Sequence, residues 1–250
     1  MDYYIHSNLN NGILEIEFFN HKANSFNSQM LIELTETINN AAFNDNIKVI
    51  LLKSKGEKVF SAGASFDEML EIDNFDKAKS FFLGFAKLIG AMTSIPKFIV
   101  TLILGKAIGG SVGIASASDY VIASANAEFR LSEYSVGIGP FVIAPVIEHK
   151  IGLSALMEMT IDTEYRDAKW ALEKGLIHRL FDDNNSAYNF AQELCNKISQ
   201  RNPAAVKELK EIFWEKEVND HSIFEQRAEK SAKLLLNEFT KNFLKEFKSK

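Results

Sequence analysis

The sequence predicts an α/β fold, and three observations carry that prediction. β-Branched apolar runs recur at residues 13–18, 47–53 and 98–104, each of strand length. Segments with apolar residues at helical spacing stand between them, the alternation that lays helices against a largely parallel sheet. Two of the runs lead into loops of small residues, at 61–65 and 105–111, from which a helix can start.

Taken in order, Ile13-Leu-Glu-Ile-Glu-Phe18 alternates apolar and polar residues and reads as a strand with one buried face. Ser28–Ala42 follows as an amphipathic helix, with Met30, Leu31, Leu34, Ile38 and Ala41 on one side. The run at 47–53 is the next strand, and residues 75–92 form a Phe-rich helix that stops before Pro96. Strands near 98–104 and 119–123 flank a glycine-rich helix start at Gly109-Gly110. From residue 186 onward the pattern is helical. Asn202-Pro203 marks a helix boundary there, because Pro suits the first helical position. Residues 221–250 read as one helical tail with Phe224, Ala228, Ala232, Leu235, Phe239 and Phe243 at steps of three or four. The chain therefore divides into a core at 1–185 and a C-terminal helical region at 186–250, whose apolar face needs another surface to cover it.

Composition narrows the function classes. With 250 residues, 46% of them hydrophobic and 24% charged, the chain can bury a sizeable core. A net charge of −5 argues against a nucleic-acid partner. The single Cys195 cannot form an internal disulfide and reads as a core residue. Met1-Asp-Tyr-Tyr has neither the basic start nor the apolar core of a signal peptide. The apolar run at 98–104 is too short to cross a bilayer, so a cytoplasmic protein with no membrane partner is expected. His6, His21, His149, His178 and His221 show no metal-ligand spacing, and no phosphate-binding glycine motif occurs; no metal and no nucleotide cofactor are expected.

The loop at 105–111 carries the chemistry. Paired glycines let backbone N–H groups approach a ligand without a Cβ in the way, and free N–H groups at a helix start favour developing negative charge. Two catalytic readings fit. Gly109-Gly-Ser-Val-Gly113 matches the G-x-S-x-G elbow of serine hydrolases, with Ser111 as nucleophile, Asp119 or Asp162 as the acid and His178 or His221 as the base. Four residues separate the apolar run from that motif, however, where an elbow needs a sharp strand-to-helix turn. In the other reading, the loop at 61–65 supplies a partner. Two small-residue loops that each end a β-rich run can aim two N–H groups at one carbonyl oxygen and stabilise an enolate.

Several segments, in order, resemble the enoyl-CoA hydratase/isomerase (crotonase) superfamily. They are Asn20-His-Lys-Ala-Asn-Ser-Phe-Asn27, Ser61-Ala-Gly-Ala-Ser-Phe-Asp-Glu-Met69, Gly105-Lys-Ala-Ile-Gly-Gly110, Asp119, Ala127-Glu-Phe-Arg-Leu-Ser-Glu133 with Gly137 and Pro140, and Tyr165-Arg-Asp-Ala-Lys-Trp-Ala-Leu-Glu-Lys-Gly-Leu-Ile177. The resemblance implies a crotonase-like ββα spiral core and an acyl-CoA thioester as substrate, the coenzyme A being part of that substrate and not a cofactor. It implies oxyanion donors at the N–H groups of Ala64 and Gly110 and a proton-transfer carboxyl at Glu133. Lys22, Ala23, Ala62, Ser65, Phe66, Gly109, Gly137, Pro140 and Phe141 are implied to line the substrate site. It also implies a C-terminal tail packed over the active site or a neighbouring subunit, in a homotrimer or a dimer of trimers.

Two departures stand out. Ordinary hydratases of the family carry a first glutamate where this chain has Gly113, and Phe141 replaces a glycine-rich stretch. The run Gly139-Pro-Phe-Val-Ile-Ala-Pro145 is similar instead to bacterial methylglutaconyl-CoA hydratases, which implies a branched enoyl-CoA substrate. Δ3/Δ2-enoyl-CoA isomerisation, acyl-CoA decarboxylation and acyl-CoA binding without catalysis stay open on the same residues.

Glu133 can be argued without the family. Enolising a thioester needs a carboxyl group that gives and takes a proton at the carbon next to the carbonyl. Burial beside Phe129 and Val136 would raise its pKa and permit both roles near neutral pH. Asp67-Glu68 suits a solvated helix start. Lys230, Lys233 and Lys241 read as solvated helix lysines that could reach a CoA phosphate.

Overall fold

A computed structural model describes residues 2–215 and 221–249. The first half runs β1 (Tyr3–Asn10), β2 (Ile13–Asn20), α1 (Ser28–Ala42), β3 (Val49–Ser54), β4 (Val59–Ser61), α2 (Phe66–Glu71) and α3 (Phe75–Ser94). Next come β5 (Phe98–Ile103), β6 (Lys106–Ile108), α4 (Gly110–Ser116), β7 (Tyr120–Ser124) and β8 (Glu128–Arg130). Then follow α5 (Ala144–Asp162), β9 (Arg166–Asp167), α6 (Ala168–Glu173) and β10 (Arg179–Phe181). The described chain closes with α7 (Asn184–Ser199), α8 (Pro203–Phe213), α9 (His221–Leu235) and α10 (Glu238–Lys248).

Two sheets form. The larger has the order β1-β2-β3-β5-β7-β10, with β1 antiparallel to β2 and the other neighbours parallel. The smaller has the order β4-β6-β8-β9 and is parallel except at β9. Three turns of the chain thus repeat a strand in the large sheet, a short strand in the small sheet, and a helix. The α/β expectation holds.

The middle of the large sheet is buried on both faces, and side chains alternate between them along its strands. Ile16, Phe18, Ile50 and Leu52 face the main core beneath α1 and α3. Ile13, Val49, Leu51, Val100, Leu102 and Ile122 face Ala187, Ala191 and Cys195 of α7. Cys195 is therefore a core residue, and burial pushes its thiol pKa up to about 12. The boundary expected at 185 falls in the first turn of α7. Met30, Leu31, Leu34, Ile38 and Ala41 are the buried residues of α1, as its periodicity predicts, and the Asn27 side chain caps its start by accepting from the Met30 N–H at 2.8 Å.

Two features differ from the sequence reading. β1 was not among the predicted strands, because it is mostly exposed and carries no clean alternation. Its signal lies in the turn: Asn11 (φ 49°) and Gly12 (φ 80°) are both left-handed, the Asn-Gly pairing that closes a two-residue hairpin. The C-terminal tail is two helices, not one. Asn237 interrupts it, accepting from the Phe239 N–H at 2.9 Å as the cap of α10, so the apolar spacing continues in a new direction.

A buried ion pair fixes α8 to the sheet. Asp119 Oδ2 accepts from the Ile99 N–H at 2.7 Å and from Lys210 Nζ at 2.6 Å, while Oδ1 accepts from Trp214 Nε1 at 2.8 Å. Beneath the small sheet a chain of rings runs from Phe60 through Phe18 and Phe26 to Phe85 of α3, with centroids 5.0–6.2 Å apart. These rings underlie the two glycine loops.

Candidate active site

Three loops converge above that ring chain. In the first, Ala23 and Asn24 are both left-handed, at φ 52° and 54°. Asn24 holds this conformation with its own side chain: its Nδ2 donates to the carbonyls of Lys55 and Val59 at 3.0 Å, and its Oδ1 accepts from the Asn20 N–H at 3.0 Å. The carbonyl of Ala23 then accepts from the Ala62 N–H at 2.9 Å, tying the first loop to the second.

The second loop follows β4. Gly63 has φ 82°, and a Cβ there would stand 2.6 Å from the Ile108 carbonyl and 3.2 Å from the Gly110 nitrogen. Only glycine lets these two loops approach so closely. The Phe26 N–H donates to the Gly63 carbonyl at 2.7 Å, and the Ser65 N–H donates to the Phe26 carbonyl at 2.8 Å. The Ala64 N–H between them has no acceptor among the described residues, nor has the Gly110 N–H at the start of α4. Both residues line one cavity.

Glu133 faces them from the third loop, after β8. Its Oε1 lies against Gly109, where a Cβ would come within 3.0 Å of it. Oε2 is buried with no hydrogen-bond partner. Burial therefore dominates and raises the carboxyl pKa from 4.5 to about 7, against the smaller opposing effect of the Glu133 and Ser132 backbone N–H groups. An acid so tuned can donate and accept a proton near neutrality.

Two cavities meet here. The inner one, about 60 Å³, is apolar, and among the described residues Glu133 is its only titratable lining residue. The outer one, about 520 Å³, shares Ala62, Ala64, Phe66, Ser132 and Val136 with it. Lys22, Ala23 and Ser65 line the outer cavity; Gly109, Pro140 and Phe141 line the inner one. Gly137, expected at the substrate, lines neither: it lies under α10, with Thr240 Oγ1 donating to its carbonyl at 3.2 Å. Arg130, Tyr165, Phe243, Phe247 and Lys248 also line the outer cavity and were missed. The α10 residues needed the Asn237 break to be noticed, since it turns that helix over the site. Lys22 and Lys248 both pair with Asp67 at the rim. Lys241 is spent elsewhere, donating to the Met69 and Ile72 carbonyls at the end of α2.

The hydrolase reading fails on geometry. Ser111 is fully buried and its hydroxyl donates to the carbonyls of Ser61 at 3.0 Å and Ile108 at 2.9 Å, which ties the two loops together. Asp119 is bound to Lys210, and Asp162 to Arg166. His178 Nδ1 accepts from the Val121 N–H at 2.9 Å, and burial pushes its pKa down to about 4. The side chain of His221 lies outside the described residues. Among the described residues no group of His, Cys, Asp or Glu could hold a metal ion.

Gly113 has no room for a carboxylate. A Cβ there would stand 2.5 Å from Ile143 Cγ2 and 2.7 Å from Ile143 Cβ. A glutamate at this position therefore requires Ile143 to move, which adjacent spacing in the sequence could not reveal.

The family model for enoyl-CoA hydratase/isomerase matches residues 8–246. A short-chain-enoyl-CoA hydratase from Clostridium acetobutylicum is 31% identical over 191 residues, covering 76% of this chain and 72% of the relative. A carnitinyl-CoA dehydratase from Escherichia coli K12 is 28% identical over 212 residues, covering 84% of this chain and 79% of the relative. In fold, the chain is similar to the crystal structure of an enoyl-CoA hydratase from Bacillus halodurans, with a TM-score of 0.91 at 22% identity over 97% of this chain and 99% of the other.

Proposed function

The chain belongs to the enoyl-CoA hydratase/isomerase family, and from that premise we propose that it hydrates an enoyl-CoA thioester with Glu133 as its single acid–base group. An acyl-CoA thioester as substrate follows from the family itself. The observation that carries the finer reading is a buried carboxyl, with a pKa of about 7, lining the same cavity as two N–H groups that have no acceptor.

The chemistry balances on those groups. The thioester carbonyl oxygen accepts from the Ala64 and Gly110 N–H groups. Ionised Glu133 takes a proton from water as the water oxygen bonds to the β-carbon. The double-bond electrons move to the α-carbon and carbonyl, giving an enolate held by the two donors, each such donor being worth about 10²–10³ in rate. Glu133 then returns the proton to the α-carbon, so one water has been added and the carboxylate is restored.

The crowding at Gly113 favours a second reading, Δ3/Δ2 isomerisation, in which one carboxylate carries a proton from one carbon to another and no water is activated. Methylglutaconyl-CoA and decarboxylation fit less well, because an acyl carboxylate would meet no Lys, Arg or His among the inner lining residues. Incubation with crotonyl-CoA and with 3-butenoyl-CoA in ¹⁸O-labelled water separates the outcomes. We expect label in a 3-hydroxyacyl product. An unlabelled, double-bond-shifted product would establish isomerisation, and tight binding with no turnover of any enoyl-CoA in a panel of thioesters would make the protein a non-catalytic acyl-CoA binder. We further propose a trimer or dimer of trimers, with the exposed Leu153, Met157 and Ile161 of α5 as the contact; a monomer mass in sedimentation equilibrium would refute it.

A further inference from the structure

The two cavities meet at Ala62, Ala64, Phe66, Ser132 and Val136, the residues common to both. Phe82 and Phe85 of α3, Phe141 to Ile143, and Ser231 of α9 line the inner cavity alone. They enclose, together with Gly109, Gly110 and Glu133, the space next to the reacting groups that a ligand seated in the outer cavity would extend its acyl group into. At about 60 Å³ this inner cavity is small beside the outer one of about 520 Å³.

Among these walls Phe141 is set apart. Phe82 and Phe85 belong to the core: both rings pack against Phe81, and Phe85 also packs against Phe26. The Phe141 ring instead rests on Gly139, where a Cβ would come within 2.6 Å of its Cζ. Its carbonyl accepts from Arg227 Nη1 at 3.1 Å, which ties the loop to the helix that also brings Ser231 to the cavity. Phe141 is half-buried, so its removal opens the cavity toward the protein surface without dismantling the core.

We propose that the Phe141 ring is the end stop of the acyl site and confines the enzyme to short, uncharged acyl groups. Gly139 and Arg227 act as positioning residues for it. The inference rests on the acyl-CoA reading above and names the substrate class that reading leaves open. One excess methylene in a closed apolar pocket costs about 10–200-fold in discrimination, so the ring's effect is large enough to measure.

The test is the affinity of the full-length protein for the saturated, unreactive thioesters butyryl-, hexanoyl- and octanoyl-CoA, measured by titration calorimetry. The wild type should bind octanoyl-CoA at least about 10-fold more weakly than butyryl-CoA. Phe141→Ala should recover most of that loss for octanoyl-CoA while changing butyryl-CoA affinity little, and Phe141→Leu should fall between. Circular dichroism checks folding, and Phe141→Leu decides the matter should Phe141→Ala unfold. Equal affinity of the wild type for all three thioesters, or an unchanged preference in the folded variants, would overturn the proposal. If the wild type binds none of the three, the acyl-CoA reading falls and the end stop with it. If binding occurs but no enoyl-CoA turns over, only the hydratase reading falls.

Discussion

Burial of Glu133 gives the acid its neutral pKa and costs the fold stability. Raising a carboxyl from 4.5 to about 7 corresponds to about 3 kcal/mol against the ionised form. The folded state holds the proton more tightly than the unfolded chain, so this penalty is absent below pH 4.5, grows between 4.5 and about 7, and is complete above. Glu133→Gln removes the charge and keeps the shape. It should therefore raise the thermal midpoint at pH 8, and the gain should shrink toward zero as the pH falls to 4.5. A variant less stable than the wild type at pH 8 would mean that the carboxylate is well solvated or partnered in the folded protein. The reading of Glu133 as the proton-transfer group rested mainly on the family resemblance, its place between an apolar segment and Gly137 adding little. That its Oε2 finds no hydrogen-bond partner was not legible, because that depends on what the two other loops fail to offer it.

At the scale of elements, local signals were read well and contacts between elements were not. The buried face of α1 follows from 3.6-residue periodicity alone, and it appears as expected. The Asn11-Gly12 turn and the Asn237 cap are local too, but each is a signal of one or two residues beside a stronger apolar pattern. The packing of α4 on the segment leading into α5 is wholly tertiary. Gly113 looks like a lost glutamate in sequence, yet Ile143 fills the space. Gly113→Glu should accordingly lower stability by about 1–3 kcal/mol without accelerating hydration, because the added side chain must displace a packed residue. Pairing it with Ile143→Ala should regain part of the loss if this crowding is its cause. A Gly113→Glu protein as stable as the wild type, and faster with crotonyl-CoA, would show that the site accepts a second carboxylate after all.

The whole molecule brings residues from both ends of the chain to one place. Lys22 in the first loop and Lys248 in α10 meet at Asp67, on the rim of the outer cavity. Helix α10 also covers Gly137 and adds Phe243 and Phe247 to the cavity wall, so the C-terminal region completes the site that the N-terminal loops begin. No helix among the described residues is long and apolar enough to cross a membrane. The α/β class and the two small-residue loops were legible because each strand-loop-helix step is continuous in sequence. The division into a small inner and a large outer cavity was not, since it arises only when α2, α3, α9 and α10 close around the loops. In the proposed mechanism one carboxyl group does all the proton transfer. Turnover of crotonyl-CoA, or of whichever enoyl-CoA proves to be the substrate, by Glu133→Gln tests this. The rate constant should fall by about 10²–10⁴ while the dissociation constant for the thioester stays within a few-fold of the wild type. Near-normal turnover by that variant would contradict the account and place the catalytic group elsewhere in the cavity.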